Sequence, residues 1–380
     1  MKILTLFAYP PEPDGLSQQG WLLHKGFLEN GYDAMPCHLE GGLQKEWLYK
    51  SFKPDVVVGV GYWGNAPNLI LHPEKHGMLA VPWLLSDGWV ANYHDIFNRM
   101  PLVFVTSNWV KEMYKRDGVD TRNMEVIPVG CDPGQFRPMN NDDGVKKVRE
   151  MLGVKDNEKM ILTVGGDVTS KGSQEMFKAL AKIGNKFDNW KYVCKTWPSD
   201  VARGHNVEET KLINELGLDK DKIIFMEGCF SREFMPFLLN AADIYAAPSR
   251  IEGFGMIQVE AMLCGKPVIS IDAMGCKDTI VHGKTGYLAK VAEEVKLMEE
   301  WVYPWMGFEK RMQIQFSQPK TFALKADVDE LAEYTHRLLA DDSLRERLGK
   351  QAREHAVEKF YYKTVSKNMV DSIKKKFNLA

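Results

Sequence analysis

Residues 249–262 read SRIEGFGMIQVEAM and set two glutamates, Glu252 and Glu260, eight positions apart around a glycine-framed turn. Small apolar residues before Pro248 predict a buried strand that leads into the turn, and apolar residues after it predict a helix over about 254–264. Such a helix directs free N–H groups and the positive end of its dipole into the turn, which makes the turn an anion site. One carboxylate beside that site and a second further along the helix suit a ligand with both phosphate and hydroxyl groups, as in a nucleotide-sugar.

The spacing of the two glutamates resembles the E-x7-E signature of retaining glycosyltransferases with the GT-B fold, and it looks most like family GT4. Further segments that match this family occur in the family's order at 106–108, 126–136, 242–249, 265–269 and 278–288. The resemblance implies an α/β fold of two Rossmann-like, doubly wound domains that face each other across a cleft, with ligands beyond the carboxyl ends of the strands. The alternative interpretation is a structural strand–turn–helix that carries surface acids.

Length and composition favour an ordinary globular chain with two domains. The chain has 380 residues, of which 44% are hydrophobic and 26% charged, and its formal net charge of −2 gives no reason to expect a nucleic-acid partner. Six cysteines are scattered without a C-x-x-C pair, which favours a reduced, cytoplasmic compartment. No signal-peptide pattern and no apolar run of about 20 residues occurs, so we expect a soluble protein, at most peripheral to a membrane.

Short apolar runs alternate with amphipathic stretches along most of the chain, and this alternation predicts two parallel sheets covered by helices. The predicted strands are 3–8, 55–60, 81–86, 102–106, 124–129, 160–164, 192–196, 223–226, 244–248 and 268–271. We expect an N-terminal Rossmann-like, acceptor-side domain at 1–150 and a Rossmann-like, nucleotide-sugar-binding domain at 151–355. The resemblance implies that 356–380, a predicted helix, returns to the first domain.

An aromatic-rich insertion at 291–323 exceeds what the family pattern needs. Its aromatic residues are Trp301, Tyr303, Trp305, Phe308, Phe316 and Phe322. Two interpretations remain open. The segment either packs on its own domain or contacts an acceptor, a partner or a membrane.

A second glycine turn runs from Thr163 to Gly172 and places Lys171 near the start of another predicted helix. A lysine at that place neutralises phosphate oxygens as a compact point charge. The family usually has G-R-x4-K-G here, and Gly166, after Gly165, occupies the position of the arginine. Lys195 ends the next predicted strand, and we hypothesise that it replaces the missing cation. Gly165, Gly166 and Lys195 are all expected to contact the donor.

The resemblance also implies roles for the residues around the two turns. Lys171 and the backbone amides of the first turn would stabilise the charge on the leaving diphosphate, Glu260 would hold the donor ribose, and Glu252 would hold the transferred sugar. The residues of that turn expected to contact the donor are Gly253, Phe254, Gly255 and Met256. We expect a UDP-, GDP- or ADP-sugar donor, a sugar, glycan, lipid or small-molecule acceptor, no cofactor and no required metal.

Three positions in the first domain are further candidates. Asp87 ends a predicted strand where relatives often carry a histidine or aspartate that faces the transferred sugar, and His94 is an outside candidate for that role. Gly15 lies in a loop where relatives often have a double glycine that approaches donor and acceptor. Only one glycine is present here, so the contribution of this loop stays open.

Two short motifs suggest other chemistries. Residues 59–64 spell G-x-G-x-x-G, the dinucleotide fingerprint, but Trp63 crowds the turn and no clear helix follows. Two D-x-D sequences, at 219–221 and 327–329, match a metal motif of a different glycosyltransferase fold, yet both lie among surface charges. A sugar-nucleotide epimerase and a catalytically silent nucleotide-sugar sensor stay open as alternative functions.

Overall fold

The computed structural model describes residues 1–85 and 88–379, and the chain divides into two compact units. The first comprises Met1–Asp132, Lys296–Thr321 and Lys359–Ala380, and the second comprises Pro133–Val295 and Phe322–Glu358. The first unit therefore ends before residue 150, where the sequence predicted the domain boundary. The reason is that the helix at 143–151 packs within the second unit, where a Cβ on Gly144 would meet the Phe237 ring at 2.7 Å.

The first unit is built on a parallel sheet with strand order β2-β1-β3-β4-β5-β6. Its strands are β1 (Lys2–Phe7), β2 (Asp33–His38), β3 (Val56–Tyr62), β4 (Ala80–Leu85), β5 (Val103–Val105) and β6 (Met124–Val126). Its helices are α1 (Gly15–Glu29), α2 (Gly42–Ser51), α3 (His72–Lys75), α4 (His94–Arg99) and α5 (Asn108–Arg116). Strands β1 and β3 are almost wholly buried because helices cover both faces of a parallel sheet.

The G-x-G-x-x-G sequence serves packing in this structure. Gly59 and Gly61 lie inside β3, and a wide helical turn at Pro67–Leu71 presses Leu69 against both of them. A Cβ on Gly59 would lie 2.9 Å from the Leu69 Cβ atom, so a larger residue would push the turn away. After Tyr62 the chain enters a short helix of three residues, which differs from the long helix that opens a dinucleotide site.

The second unit repeats the architecture, with strand order β12-β11-β10-β7-β8-β9 in a parallel sheet. Its strands are β7 (Lys159–Val164), β8 (Trp190–Thr196), β9 (Ile223–Glu227), β10 (Ile244–Ala246), β11 (Val268–Ile271) and β12 (Gly286–Ala289). The helices that accompany them are α6 (Asp143–Met151), α7 (Ser173–Ile183), α8 (Asp200–Glu215), α9 (Met235–Ala241), α10 (Met256–Leu263) and α11 (Cys276–Thr279). Strands β7 and β10, at the centre of this sheet, are buried along almost their whole length.

A long β-hairpin and three helices complete the chain. They are β13 (Val291–Val302), β14 (Met312–Ala326), α12 (Val328–Ala340), α13 (Asp342–Phe360) and α14 (Tyr362–Phe377). Helix α14 packs on α1, where a Cβ on Gly26 would meet the Ser366 hydroxyl at 2.3 Å. The Tyr362 hydroxyl also donates a hydrogen bond of 2.7 Å to Glu29. Across the described ranges, no helix combines the length and apolarity needed to cross a bilayer.

The aromatic-rich insertion at 291–323 forms most of this β-hairpin. Its outer half, 296–321, belongs to the first unit, where Met306 and Phe308 pack against the apolar core. The Trp89 ring lies 5.6 Å from the Phe316 ring and 5.3 Å from the Trp63 ring. This outer half therefore packs on the first unit, whereas the sequence placed the whole insertion in the domain at 151–355.

A buried ion pair fastens β14 to the end of α5. The Asp117 carboxylate, only 1% exposed, accepts hydrogen bonds from the Val90 amide at 2.7 Å, from the Arg116 side chain at 2.9 Å and from the Lys320 ammonium. Burial alone raises the pKa of Asp117, but these hydrogen bonds outweigh burial and hold the pKa below its usual value. The charged form is therefore the one that the fold stabilises.

Replacement of Asp117 with asparagine should destabilise the first unit by about 3 kcal/mol, because it leaves two partner cations beside a buried neutral group. Since the pKa is lowered on folding, the Asp117 contribution is complete above the pKa of the unfolded chain and is lost as the pH falls through the folded value. Urea unfolding at pH 7 and at pH 3 measures both effects, with the exposed Asp33→Asn variant as control. Equal stability of Asp117→Asn and the wild type at pH 7 would show that the pair contributes nothing.

Candidate functional site

The glycine-framed turn lies where sequence predicted it, between β10 and α10. Helix α10 begins at Met256, two residues later than expected, because Gly255 adopts a left-handed backbone with φ 93° and ψ 53°. The backbone around Gly253 is closely packed as well, since a Cβ on Gly275 would lie 2.3 Å from the Gly253 carbonyl oxygen. The loop after β11 thus holds the turn from one side and fixes the direction in which its amides point.

Glu252 binds the amides of its own turn. Its Oε1 atom accepts hydrogen bonds from the Gly255 amide at 2.9 Å and from the Phe254 amide at 3.4 Å. Its Oε2 atom accepts a hydrogen bond of 2.7 Å from the Lys171 ammonium, and the Glu252 side chain is 17% exposed. The turn therefore holds an anionic group, as its geometry predicts, and in this structure that group is an internal carboxylate.

The contact between Lys171 and Glu252 brings together two turns that are 81 residues apart in sequence. Lys171 ends a short helix at Thr169–Lys171, and Gly172 follows in a left-handed conformation with φ 82°. A Cβ on Gly172 would lie 2.2 Å from the Pro248 carbonyl oxygen, so only glycine permits this approach of the two turns. Both groups are predicted from the sequence to lie in one site, and in the structure they are in direct contact.

Glu260 lies in the second turn of α10 and is fully buried. Its Oε1 atom pairs with the Arg232 guanidinium, which also stacks 4.5 Å from the Phe136 ring centroid. Burial raises the pKa of Glu260, and the nearby Arg232 charge opposes that rise. The other carboxylate oxygen, Oε2, is buried and has no hydrogen-bond partner among the described residues. A buried carboxylate oxygen is costly to leave unsatisfied, so this atom is suited to accept a hydrogen bond from a bound hydroxyl group.

Each of the two glycines at 165 and 166 has a side chain packed closely against it, which leaves little room for a larger residue. A Cβ on Gly165 would lie 2.9 Å from the Lys171 Cγ atom, and a Cβ on Gly166 would lie 3.0 Å from the Trp197 ring. The Trp197 amide also donates a hydrogen bond of 3.0 Å to the Gly166 carbonyl. Trp197 therefore covers the position at which the family usually carries an arginine.

Lys195 lies on β8 immediately beside the glycine turn, where its carbonyl accepts a hydrogen bond of 3.0 Å from the Gly165 amide. Its side chain is buried, and its ammonium lies 5.7 Å from the Trp197 ring and 5.8 Å from the Phe230 ring. Burial lowers the pKa of Lys195. Within 1–85 and 88–379, the ammonium has no ion-pair partner, so its charge is available to an anionic ligand that reaches it.

The structure describes two of the three candidate residues of the first unit. Asp87 lies outside the described residues. Gly15 is the first residue of α1, after the capping residue Asp14, and a Cβ there would meet nothing within 4 Å. Among the residues that the structure describes, no packing constraint therefore demands glycine at this position. The His94 Nε2 atom lies 2.9 Å from the Asp117 carbonyl oxygen, a contact that serves the local fold.

Both D-x-D sequences act as helix caps. The Asp219 side chain accepts a hydrogen bond of 2.9 Å from the Asp221 amide, and the Asp327 side chain accepts one of 2.9 Å from the Glu330 amide. Capping of this kind satisfies amides that a helix leaves unpaired at its start. The short spacing of these aspartates thus has a structural explanation.

Sequence reasoning missed Arg232 and Trp197. Arg232 precedes α9 in a loop that carries no motif, and it meets Glu260 only through the fold. Trp197 follows β8, where an aromatic residue after a strand gives no sign that it will cover a glycine. The sequence around each residue contains no pattern that predicts its role, because both roles arise from contacts between segments distant in sequence.

Comparison with known proteins agrees with this geometry. A sequence model of the family Glycosyl transferases group 1 matches residues 145–302. An uncharacterized glycosyltransferase of Methanocaldococcus jannaschii is 25% identical over 74% of this chain and 62% of its own length. A D-inositol 3-phosphate glycosyltransferase of Corynebacterium kroppenstedtii is 31% identical over 44% of this chain and 37% of its own length. The chain spans less than two thirds of the length of either relative.

Solved structures show the fold across the whole chain. Anabaena HepE, in complex with UDP and glucose, has a TM-score of 0.73 at 18% identity and covers 99% of this chain and 100% of its own. Sucrose-phosphate synthase from Thermosynechococcus elongatus has a TM-score of 0.73 at 18% identity, and each chain is covered to 100%. The predicted α/β fold with two Rossmann-like domains of the GT-B type is confirmed. The segment matched by the family model contains Glu252 and Glu260.

Proposed function

We propose that this protein is a retaining, GT4-type glycosyltransferase that moves a sugar from a nucleoside-diphosphate donor to an acceptor without a required metal ion. The observation that carries the proposal is the joint placement of Lys171, Glu252 and the start of α10. These groups offer a cation, a hydroxyl-binding carboxylate and amides to a single ligand. A nucleoside-diphosphate sugar carries phosphate oxygens that match the cation and the amides, and sugar hydroxyls that match the carboxylate.

Glu260 supplies the second element of the proposal. Its unsatisfied Oε2 atom is suited to accept hydrogen bonds from the ribose hydroxyls of the donor, while the Arg232 charge opposes the rise in the Glu260 pKa that burial causes. Charge-assisted hydrogen bonds of this kind are shorter and stronger than neutral ones. The alternative is that these acids are only structural, with Arg232 as the partner of Glu260.

The chemistry requires that negative charge on the leaving diphosphate be stabilised. The bond between the anomeric carbon and the diphosphate oxygen breaks, the acceptor oxygen bonds to the same face of that carbon, and a phosphate oxygen takes the acceptor's proton. Lys171 and the amides of Gly255 and Met256 supply fixed positive charge and dipoles at the place where the negative charge grows. Because Glu252 already binds Lys171, we propose that the two groups hold the sugar and the phosphate side by side.

The comparisons support a nucleotide-sugar donor. HepE is described in complexes with UDP and with UDP-glucose, and the curated relatives include glycosyltransferases that act on D-inositol 3-phosphate. This chain has the same fold as HepE, and about half of its sequence is similar to a D-inositol 3-phosphate glycosyltransferase. We therefore propose a UDP-, GDP- or ADP-sugar as donor and a hydroxyl-bearing sugar, glycan, lipid or small molecule as acceptor, with cytoplasmic location.

A screen of sugar nucleotides tests the proposed activity. We expect one donor, present far above its dissociation constant, to raise the melting temperature, because binding at 100 times that constant adds about 2.7 kcal/mol. The same donor should release nucleoside diphosphate slowly in EDTA without an acceptor. Binding without release would favour a nucleotide-sugar sensor, and no binding of any donor would contradict the proposal.

The two glutamates should affect different kinetic constants. Replacing Glu260 with glutamine should mainly weaken donor affinity, and replacing Glu252 with alanine should mainly lower kcat. A lost hydrogen bond to a charged group is worth about 1.5–3 kcal/mol, or roughly 10- to 150-fold. Steady-state kinetics and donor titration separate the effects, with the exposed Glu208→Ala variant as control. Wild-type affinity and rate in both variants would show that the roles are misassigned.

Lys195 should matter to the donor if it replaces the missing arginine. Lys195→Met keeps the length of the buried side chain but removes its charge, so we expect the donor kcat/KM to fall at least about tenfold, the scale of one charged hydrogen bond. Lys191→Met, on the same strand, is the matched control because the Lys191 ammonium bonds the Asp221 carbonyl. Unchanged donor kinetics in Lys195→Met would remove the hypothesis.

A further inference from the structure

Three metal-ligating side chains converge in the first unit, apart from the residues assigned to the donor. Glu46 projects from α2, His72 begins α3, and His76 follows the last residue of α3. One ligand atom from each lies within 4.8 Å of the others, and the His76 Nε2 atom is 3.7 Å from the Glu46 carboxylate. Histidines four positions apart share one side of a helical turn, which explains why the two imidazole rings lie 4.8 Å apart.

A neighbouring tyrosine orients both imidazoles. The buried Tyr49 ring lies 5.8 Å from the His72 ring and 5.6 Å from the His76 ring. The Tyr49 hydroxyl lies 3.3 Å from the His72 Nδ1 atom, which leaves the Nε2 atom of His72 for another ligand. Ligating histidines in metal sites characteristically have the second ring nitrogen held in this way, because that contact fixes the ring and its tautomer.

We propose that Glu46, His72 and His76 bind a divalent metal ion of the zinc class, with water in the remaining position. Two imidazoles and one carboxylate form a ligand set that zinc accepts, whereas magnesium and calcium prefer oxygen ligands alone. Ligands around tetrahedral zinc lie about 3.3 Å apart, as follows from bond lengths of about 2.0–2.1 Å. The present spacing of up to 4.8 Å has to shorten by rotation of the side chains when the ion binds.

The surroundings set the expected strength of the site. The Lys45 ammonium lies buried nearby, where it donates hydrogen bonds to the Leu39 and Asn68 carbonyls at 2.7 and 3.3 Å. Its charge opposes a cation, so we expect weaker binding than in a site made of thiolates. The ion would connect α2 to α3 and so stabilise this part of the first unit. The site is independent of the proposed sugar transfer, for which no metal is required.

Titration of the metal-free full-length protein with Co²⁺ tests the site, because bound Co²⁺ of low coordination number absorbs visible light strongly. We expect one ion per chain, displaced by Zn²⁺, and a higher melting temperature with Zn²⁺ than with EDTA. His72→Ala and His76→Ala should each weaken binding more than tenfold, and Tyr49→Phe about tenfold, since supporting residues typically contribute 10- to 100-fold. His336→Ala, on α12 of the second unit, is the control.

The outcomes are distinguishable from a general loss of folding. Glu46→Gln keeps the shape of the side chain, and the melting temperature of each variant in EDTA shows whether it folds as the wild type does. Loss of the Co²⁺ spectrum in folded ligand variants supports the site. Absence of binding by the wild type, or unchanged affinity in a double variant of His72 and His76, overturns it. Neither result depends on sugar transfer.

Discussion

The site depends on the close approach of two backbone turns at Gly172 and Pro248. A side chain on Gly172 would collide with the Pro248 carbonyl oxygen at 2.2 Å, and the left-handed backbone of this residue is open to glycine at little cost. Because the turns touch there, Lys171 reaches Glu252, and the carboxylate in turn reaches the start of α10. A cation, a carboxylate and a helix N-terminus are thus combined by one steric constraint on the backbone.

The Lys171–Glu252 pair gives the anion site a defined state before any ligand binds. The carboxylate satisfies the Gly255 amide and neutralises the lysine, so the strongly polar groups of the turn do not lie unpaired in a partly buried place. A diphosphate that approaches the turn has to share these donors with Glu252. The pair therefore orders the site. A donor that binds there has to compensate for the free energy of the contacts that it weakens between Glu252, Lys171 and the Gly255 amide.

Much of the architecture could be predicted from sequence because it is encoded locally. Buried parallel strands read as short apolar runs, and the motif from Glu252 to Glu260 combines turn chemistry with helical spacing. The hairpin escaped this reasoning, since most residues of β13 and β14 are exposed or only half-buried and do not form a buried apolar run. Arg232 escaped it because its contact with Glu260 arises only when distant segments pack. Gly15 follows from the resemblance alone, and no described residue near it requires a glycine.

A crystal structure with a bound sugar nucleotide tests the central claim most directly. The account predicts that the diphosphate contacts Lys171 and the amides at the start of α10, with the ribose hydroxyls on Glu260 and the sugar hydroxyls on Glu252. It also predicts that the Lys171–Glu252 contact lengthens or is shared with the ligand. A nucleotide bound elsewhere in the chain, with this pair and the Glu260 carboxylate untouched, would contradict the account.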